Sequence, residues 1–209
     1  LTSLDLSRCE VTDEGVRALP ATLTSLDLGG CHEVTDEGLR ALPATLTSLV
    51  LEECGQVTDE GVRVLPATLT SLDLTYGRVT DEGLRALPAT LKSLSLGGCY
   101  QVTDEGVRAL PATLTSLDLS RCEVTDEGVR ALPATLTSLS LECCEQVTDE
   151  GLRALHATLR SVNLGGCERL TDEGVRALPA TLDTEWPGEE SFLNDRSDEE
   201  SFLNDRSDY

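Results

Sequence analysis

The sequence predicts an α/β solenoid, a curved arc with parallel β-strands on its concave face and short helices on its convex face. Three observations predict it: one unit of 22 or 23 residues restarts eight times, each unit joins a strand-like half to a helix-like half, and the copies keep one register, residues 1–22 and 114–135 being identical. The units begin at Leu1, Leu23, Leu46, Leu69, Leu91, Leu114, Leu136 and Leu159.

The first half of each unit has the alternation of a half-buried strand. Leu4 and Leu6 alternate with Ser3, Asp5 and Ser7, the period of two that puts apolar side chains on one face. Parallel copies of this strand stack at about 4.8 Å, so eight of them predict a ribbon on the order of 35–40 Å long.

The second half of each unit carries helix signals. Thr12 is expected to cap the helix, with Asp13 and a glutamate in its first turn, and Val16 and Leu19 are expected to face inward before a proline ends the turn. Each Asp-Glu pair precedes an arginine by four and three residues, as at Arg17. Calcium binding would need oxygens that converge on one point, so the pattern favours a solvated ladder of ion pairs on the convex face.

Cysteine occupies one repeat position in seven of the eight units, and Gly77 replaces it in the fourth. Metal binding, disulfides and a column of small buried thiols that hydrogen-bond the backbone are the alternatives, and regular spacing favours the buried thiols over the paired spacing of zinc sites. Such thiols favour a reducing, cytoplasmic compartment. Cys143 is an additional residue, expected to face solvent. The column is Cys9, Cys31, Cys54, Cys99, Cys122, Cys144 and Cys167.

The repeat resembles that of the leucine-rich-repeat family, whose unit reads LxxLxLxxN/CxL, with Leu1, Leu4, Leu6, Cys9 and Val11 in those places. The resemblance covers residues 1–182. The cysteine followed by Val-Thr-Asp-Glu-Gly looks like the cysteine-containing subtype of F-box substrate adaptors. The resemblance therefore implies a protein-protein interaction module, with the substrate-recognition arm of a ubiquitin ligase as an alternative.

Composition excludes several other classes of protein. The formal charge of −22 argues against nucleic-acid binding and against anionic membranes, and no apolar run reaches the roughly 18 residues needed to span a bilayer. The two histidines, His32 and His156, lie about five repeats apart, and no catalytic or phosphate-binding motif occurs. We therefore predict no enzyme activity, no cofactor and no metal. The fidelity of the repeats indicates recent tandem duplication or a designed consensus repeat without a dedicated ligand.

A partner is expected on the concave face and its rim, where the units differ most. The strands expose a serine column, a mainly acidic second column and a variable third position with its turn, although free drift of exposed positions would also give this variation. Tyr76 and Tyr100 are expected to centre an acidic patch that prefers a basic partner or another copy of the chain. The predicted partner-binding residues are Asp27, Val50, Glu52, Glu53, Asp73, Tyr76, Tyr100, Asp118 and Glu142.

The last segment, residues 183–209, differs in composition from the array, with ten Asp or Glu against two Arg. Residues 183–188 replace the expected next strand, and Trp186 is expected to cover the last repeat. The decapeptide Glu-Glu-Ser-Phe-Leu-Asn-Asp-Arg-Ser-Asp then occurs twice, at 189–198 and 199–208. We predict that this acidic tail, if it is not an appendage, docks on the array's end or on a neighbouring chain through Trp186, Phe192, Leu193, Phe202 and Leu203. Leu1 lies inside a repeat, which suggests trimming and leaves a bare strand edge open to self-association.

Overall fold

The computed structural model describes residues 1–186 of the 209-residue chain, and these residues form the predicted α/β solenoid. Within them, one parallel sheet holds nine strands in chain order, each hydrogen-bonded to the next. Equivalent residues pair across it, so Ser3 lies opposite Ser25 and Leu4 opposite Leu26. The strands are β1 Ser3–Asp5, β2 Ser25–Asp27, β3 Ser48–Val50, β4 Ser71–Asp73, β5 Ser93–Ser95, β6 Ser116–Asp118, β7 Ser138–Ser140, β8 Ser161–Asn163 and β9 Asp183–Glu185.

The core is a stack of aliphatic layers between the strands and the convex helices. Leu26, Leu49 and Leu72 point inward from the middle of successive strands and are at most 1% exposed. Val16 of the first helix is fully buried, whereas Leu19 is only half-buried. Because each layer packs only on its neighbours, the array needs no aromatic residue in its interior.

Eight short helices follow the strands on the convex face. In seven of them the side chain of the preceding threonine accepts a backbone hydrogen bond, as Thr35 does from the Glu37 N–H at 3.2 Å. Thr12 occupies the same position but makes no side-chain cap; its hydroxyl instead donates to Glu14 at 3.4 Å. The helices are α1 Asp13–Arg17, α2 Asp36–Leu39, α3 Asp59–Arg63, α4 Asp81–Leu84, α5 Asp104–Arg108, α6 Asp126–Arg130, α7 Asp149–Leu152 and α8 Asp172–Arg176.

The two acidic residues of each helix have different roles, which confirms the glutamate pairs of the predicted ladder and corrects the aspartate pairs. The glutamate pairs with arginine three residues later, as Glu14 does with Arg17 at 3.1 Å. The aspartate instead bonds the next repeat: Asp81 accepts from the Thr103 N–H at 2.8 Å and from the Thr103 hydroxyl at 2.8 Å. Within residues 1–186, Asp172 is the one helix aspartate that forms the predicted pair with the arginine four residues later, Arg176, at 2.9 Å.

A glycine makes this bond between repeats possible. A Cβ added at Gly106 would overlap Oδ1 of Asp81, so from the second repeat onward the glycine of the Asp-Glu-Gly segment allows the aspartate of the preceding repeat to approach. The recurring Thr-Asp-Glu-Gly sequence therefore both starts a helix and joins neighbouring repeats by hydrogen bonds.

The segment after Leu182 departs from the sequence-based expectation. Residues 183–185 do not replace a strand but form β9, in register with β8, with Thr184 opposite Val162. Parallel pairing needs only backbone donors and acceptors, so the loss of the leucine pattern does not prevent it. Trp186 is partly buried against the core, and its indole N–H donates to Asp172 at 3.3 Å. Phe192, Leu193, Phe202 and Leu203 lie outside the described residues.

Candidate functional site on the concave face and its rim

The concave face carries two parallel columns of polar side chains. In the inner strands the serine and the residue two positions later are part-exposed, while the leucine between them is buried. The second column contains Asp27, Val50, Asp73 and Asp118, and Val50 lies between Asp27 and Asp73 in the sheet. β9 extends the columns with Asp183 and Glu185, opposite Ser161 and Asn163.

The aspartates of the second column also hold the turn after each strand. Oδ1 of Asp27 accepts from the Gly29 N–H at 2.8 Å, and Asp73 accepts from Thr75 at 2.9 Å. The same bond from Ser7 lowers the pKa of Asp5. Oδ1 of Asn163 accepts the equivalent bond from the Gly165 N–H at 2.9 Å. An uncharged side-chain oxygen is therefore enough to accept the hydrogen bond of the turn, and the carboxylate charge is not needed for it.

One position of the rim is left-handed in every repeat, a feature that the sequence reasoning missed. We call this set the rim column: Arg8, Gly30, Glu53, Tyr76, Gly98, Arg121, Cys143 and Gly166, with φ between 55° and 72°. Glycine adopts this region freely, whereas other residues do so at a cost. The signal was present in the sequence, because glycine fills this position in three of the eight repeats.

The predicted central patch is divided among separate depressions. Glu52 and Glu53 line an open cleft of about 320 Å³ with Asp27 and Arg8. Tyr100 lines another, of about 350 Å³, with Arg121 and Cys143. Asp118 lies in a third, of about 250 Å³, together with Asn163 and Glu185.

The two tyrosines are exposed and near one turn. Tyr76 is 44% and Tyr100 60% exposed. A Cβ added at Gly98 would overlap the Tyr76 ring, so Tyr76 lies over the turn that leads to Tyr100. Glu142 lies two repeats farther along the arc than Tyr100, and it accepts a hydrogen bond from Nδ2 of Asn163 at 3.2 Å.

The concave carboxylates are unpaired. Among residues 1–186, no lysine or arginine forms an ion pair with Asp27, Glu52, Glu53, Asp73, Asp118 or Glu142. On the convex face, by contrast, seven glutamates each pair with an arginine. These concave carboxylates therefore face solvent without an ion-pair partner, whereas each convex arginine offsets one carboxylate of its own helix.

Six thiols of the cysteine column form the predicted buried ladder. Each donates to a carbonyl of the preceding repeat, as Cys99 does to Leu74 at 3.2 Å and Cys144 to Leu119 at 3.2 Å. Burial raises the pKa of Cys99 to about 11 and that of Cys144 to about 12. Cys9, in the first of the eight repeats, is exposed, contrary to expectation, and Cys143 is half-buried.

Across residues 1–186 no group of three or more His, Cys, Asp or Glu side chains is arranged to hold a metal ion. The helices of the same stretch are too short or too polar to cross a membrane.

Comparison with solved structures shows the same architecture. Internalin C2 of Listeria monocytogenes is 27% identical with a TM-score of 0.59, over 78% of this chain and 71% of that one. The leucine-rich-repeat-containing protein LegL7 of Legionella pneumophila is 23% identical with a TM-score of 0.52, over 80% of this chain and 66% of that one. TLR13, solved as a complex with ssRNA13, is 24% identical with a TM-score of 0.64, over 88% of this chain but only 28% of that one.

Comparison with protein families places the repeats directly. No curated protein sequence matches the chain. The leucine-rich-repeat profile, in contrast, matches eight consecutive segments, at residues 1–19, 20–42, 43–65, 66–87, 88–110, 111–132, 133–155 and 156–178. The matched segments follow the observed strand-and-helix units, and the chain therefore belongs to the leucine-rich-repeat family.

Proposed function

We propose that the chain is a non-catalytic interaction module whose concave face binds a protein with a basic surface. The observation that carries the proposal is the contrast between concave carboxylates without an ion-pair partner and convex glutamates that each pair with an arginine. Complementary potential raises the rate and the specificity of association. The net charge of −22 supports a protein partner over a nucleic acid, and six buried reduced thiols support a reducing, intracellular compartment.

The test uses two variants of the full chain that lose four negative charges each. The concave variant is Asp27→Asn, Asp73→Asn, Asp118→Asn and Glu52→Gln, in which asparagine keeps the turn bond that Asn163 already makes. The convex control is Glu37→Gln, Glu60→Gln, Glu82→Gln and Glu105→Gln. Fluorescent decalysine serves as the basic probe, and anisotropy at low salt measures its affinity.

We expect the concave variant to bind decalysine at least ten-fold more weakly and the convex control to stay within about two-fold of the parent, since pairs that already hold an arginine attract a cation less. Tyr76→Ala with Tyr100→Ala should weaken binding further through lost cation–π contact. Equal losses in the two charge variants would show that only net charge matters and would refute the site. Absence of binding to the parent would favour a consensus repeat without a ligand.

A second candidate function is the substrate-recognition arm of a ubiquitin ligase, supported by the cysteine of the repeat. The thiol-to-carbonyl bonds give that cysteine a structural role, so the residue alone does not select this function. Purified Skp-type adaptor protein that coelutes with the chain would support it, and separate elution at micromolar concentration would exclude direct adaptor binding.

A further inference from the structure

The convex side of the last two repeats is more open than the rest of the array. A groove of about 450 Å³ runs between repeats seven and eight, lined by Leu152, Leu155, Leu178 and Leu182. Val175 of α8 is only half-buried, whereas the equivalent Val129 is fully buried. Repeat eight thus leaves apolar side chains uncovered where earlier repeats close over each other.

The arginine side chains of the last two repeats also differ from those of the rest of the array. The side chains of Arg153 and Arg176 are 63% and 78% exposed, against 43% to 48% for their six equivalents. Each keeps one partner in its own repeat, Glu150 and Asp172. The groove aspartate, Asp149, is occupied by the Thr171 N–H at 3.0 Å and the Thr171 hydroxyl at 2.7 Å. The groove therefore suits a ligand with an apolar anchor preceded by acidic residues.

The sequence contains such a ligand twice. Each decapeptide places Phe-Leu directly after Glu-Glu-Ser, at Phe192-Leu193 and at Phe202-Leu203. The described chain ends at Trp186, four residues beyond the groove residue Leu182. The six residues to Phe192 span up to about 20 Å when extended, the width of two helices. A segment tethered so closely has an effective concentration on the order of mM.

We propose that this groove is a peptide-docking site whose occupant is the Glu-Glu-Ser-Phe-Leu segment of the same chain. The Phe-Leu pair enters between Leu155 and Leu178, and the two glutamates face Arg153 and Arg176. The two copies are interchangeable occupants of one groove, so loss of one copy leaves the groove filled. Docking covers the apolar end of the array, which a terminal repeat of a solenoid requires.

The experiment uses the full chain with Phe192, Leu193, Phe202 and Leu203 replaced by alanine, which we call the anchorless variant. A fluorescein-labelled peptide with the sequence of residues 189–198 is titrated with each protein and followed by anisotropy. We expect binding to the anchorless variant in the micromolar range and at least ten-fold weaker binding to the parent, whose groove is filled. A chain with only Phe192 and Leu193 replaced should behave as the parent.

Matched groove variants complete the test. In the anchorless background, Leu155→Asp should weaken peptide binding at least ten-fold, whereas Leu87→Asp, at the end of the same Thr-Asp-Glu-Gly-Leu-Arg-Ala-Leu sequence in repeat four, should not. If Leu155→Asp loses the far-UV circular dichroism of the fold, Arg153→Gln against Arg85→Gln makes the same comparison, with about a three-fold loss expected only for Arg153.

Three results would overturn the proposal. One is no peptide binding to the anchorless variant at millimolar concentration, and another is equal loss in both members of a matched pair. The third is a concentration-dependent dimer of the parent, absent from the anchorless variant in light scattering, which would place the segment in a second copy of the chain. None of these results depends on whether the concave face binds decalysine.

Discussion

Removal of one aspartate from the convex face should destabilise the array far more than removal of the adjacent glutamate. Asp81 accepts two hydrogen bonds from Thr103 of the next repeat, at 2.8 Å each. Glu82, one residue later in the same helical turn, pairs only with Arg85, and their side chains are 63% and 47% exposed. Both carboxylates lie at the start of α4, so the helix dipole acts on both.

The magnitudes follow from these contacts. Hydrogen bonds to a charged group contribute about 1.5–3 kcal/mol each. Thr103 is part-exposed, so water replaces part of the loss, and we expect Asp81→Ala to cost about 2–3 kcal/mol. An exposed ion pair is worth about 0–0.5 kcal/mol, which sets the expected cost of Glu82→Ala. Asp81→Asn keeps an acceptor for the Thr103 N–H and should cost about 1 kcal/mol.

Urea denaturation followed by far-UV circular dichroism measures these differences, provided that the slope against denaturant stays constant across the variants. If Asp81→Ala and Glu82→Ala differ by less than about 0.5 kcal/mol, the bond between repeats does not stabilise the stack. The reasoning that separates the two acidic residues of every repeat would then be wrong.

Two further predictions concern the thiol ladder and the rim column. Burial raises the pKa of Cys54, Cys99 and Cys167 to about 11. The protonated thiols therefore stabilise the fold fully below the unfolded-state pKa near 8.5, and this stability is lost as pH rises toward 11. Urea midpoints that stay constant from pH 8 to 11 would contradict this prediction. At pH 8, a thiol reagent should modify Cys9 and Cys143 first and the six buried thiols only on unfolding. Gly98→Ala should lower the free energy of unfolding by about 1–2 kcal/mol, because the φ of Gly98 is +70° and a new Cβ would displace Tyr76. In a Tyr76→Ala background this destabilisation should be smaller. If the two substitutions lower the free energy of unfolding additively, the ring contact is refuted.

Sequence periodicity predicted the fold because its signals are local. Alternation around Leu4 and the threonine before Asp13 each act within a few residues, and the strands and helices form where those signals lie. The register between repeats is kept because the one-residue difference in their lengths falls in the loop between the cysteine position and the following valine, outside the strands. What the sequence did not reveal depends on atoms brought together from different repeats: Asp81 and Thr103 are 22 residues apart, and only the stacked helices place them in contact.

The sequence predicts on which face the candidate residues lie but not which of them share a cleft. The concave columns follow from the strand alternation, so Asp27, Asp73 and Asp118 lie where the sequence places them. Their hydrogen bonds to the following turn, and the separation of Glu53 and Tyr100 into different clefts, depend on the curvature and the left-handed turn. β9 was missed because its pairing is made by the backbone and its side chains carry no leucine signal.

The rim column explains how this array varies its surface without altering its fold. In the first seven repeats the backbone N–H of the rim residue donates to a carbonyl of the next repeat, as Glu53 does to Thr75 at 2.9 Å and Tyr76 to Gly97 at 2.7 Å. Glycine makes the same bond at Gly98, to Ser120 at 2.7 Å, so the conformation is fixed by the backbone ladder and not by the side chain. A non-glycine residue there costs about 1–2 kcal/mol, and five repeats nevertheless carry one. Strain kept where glycine would relieve it is typical of functional positions, so exchanges among the five non-glycine residues should change the surface of the rim at little cost in stability, whereas replacement of a glycine should destabilise the array.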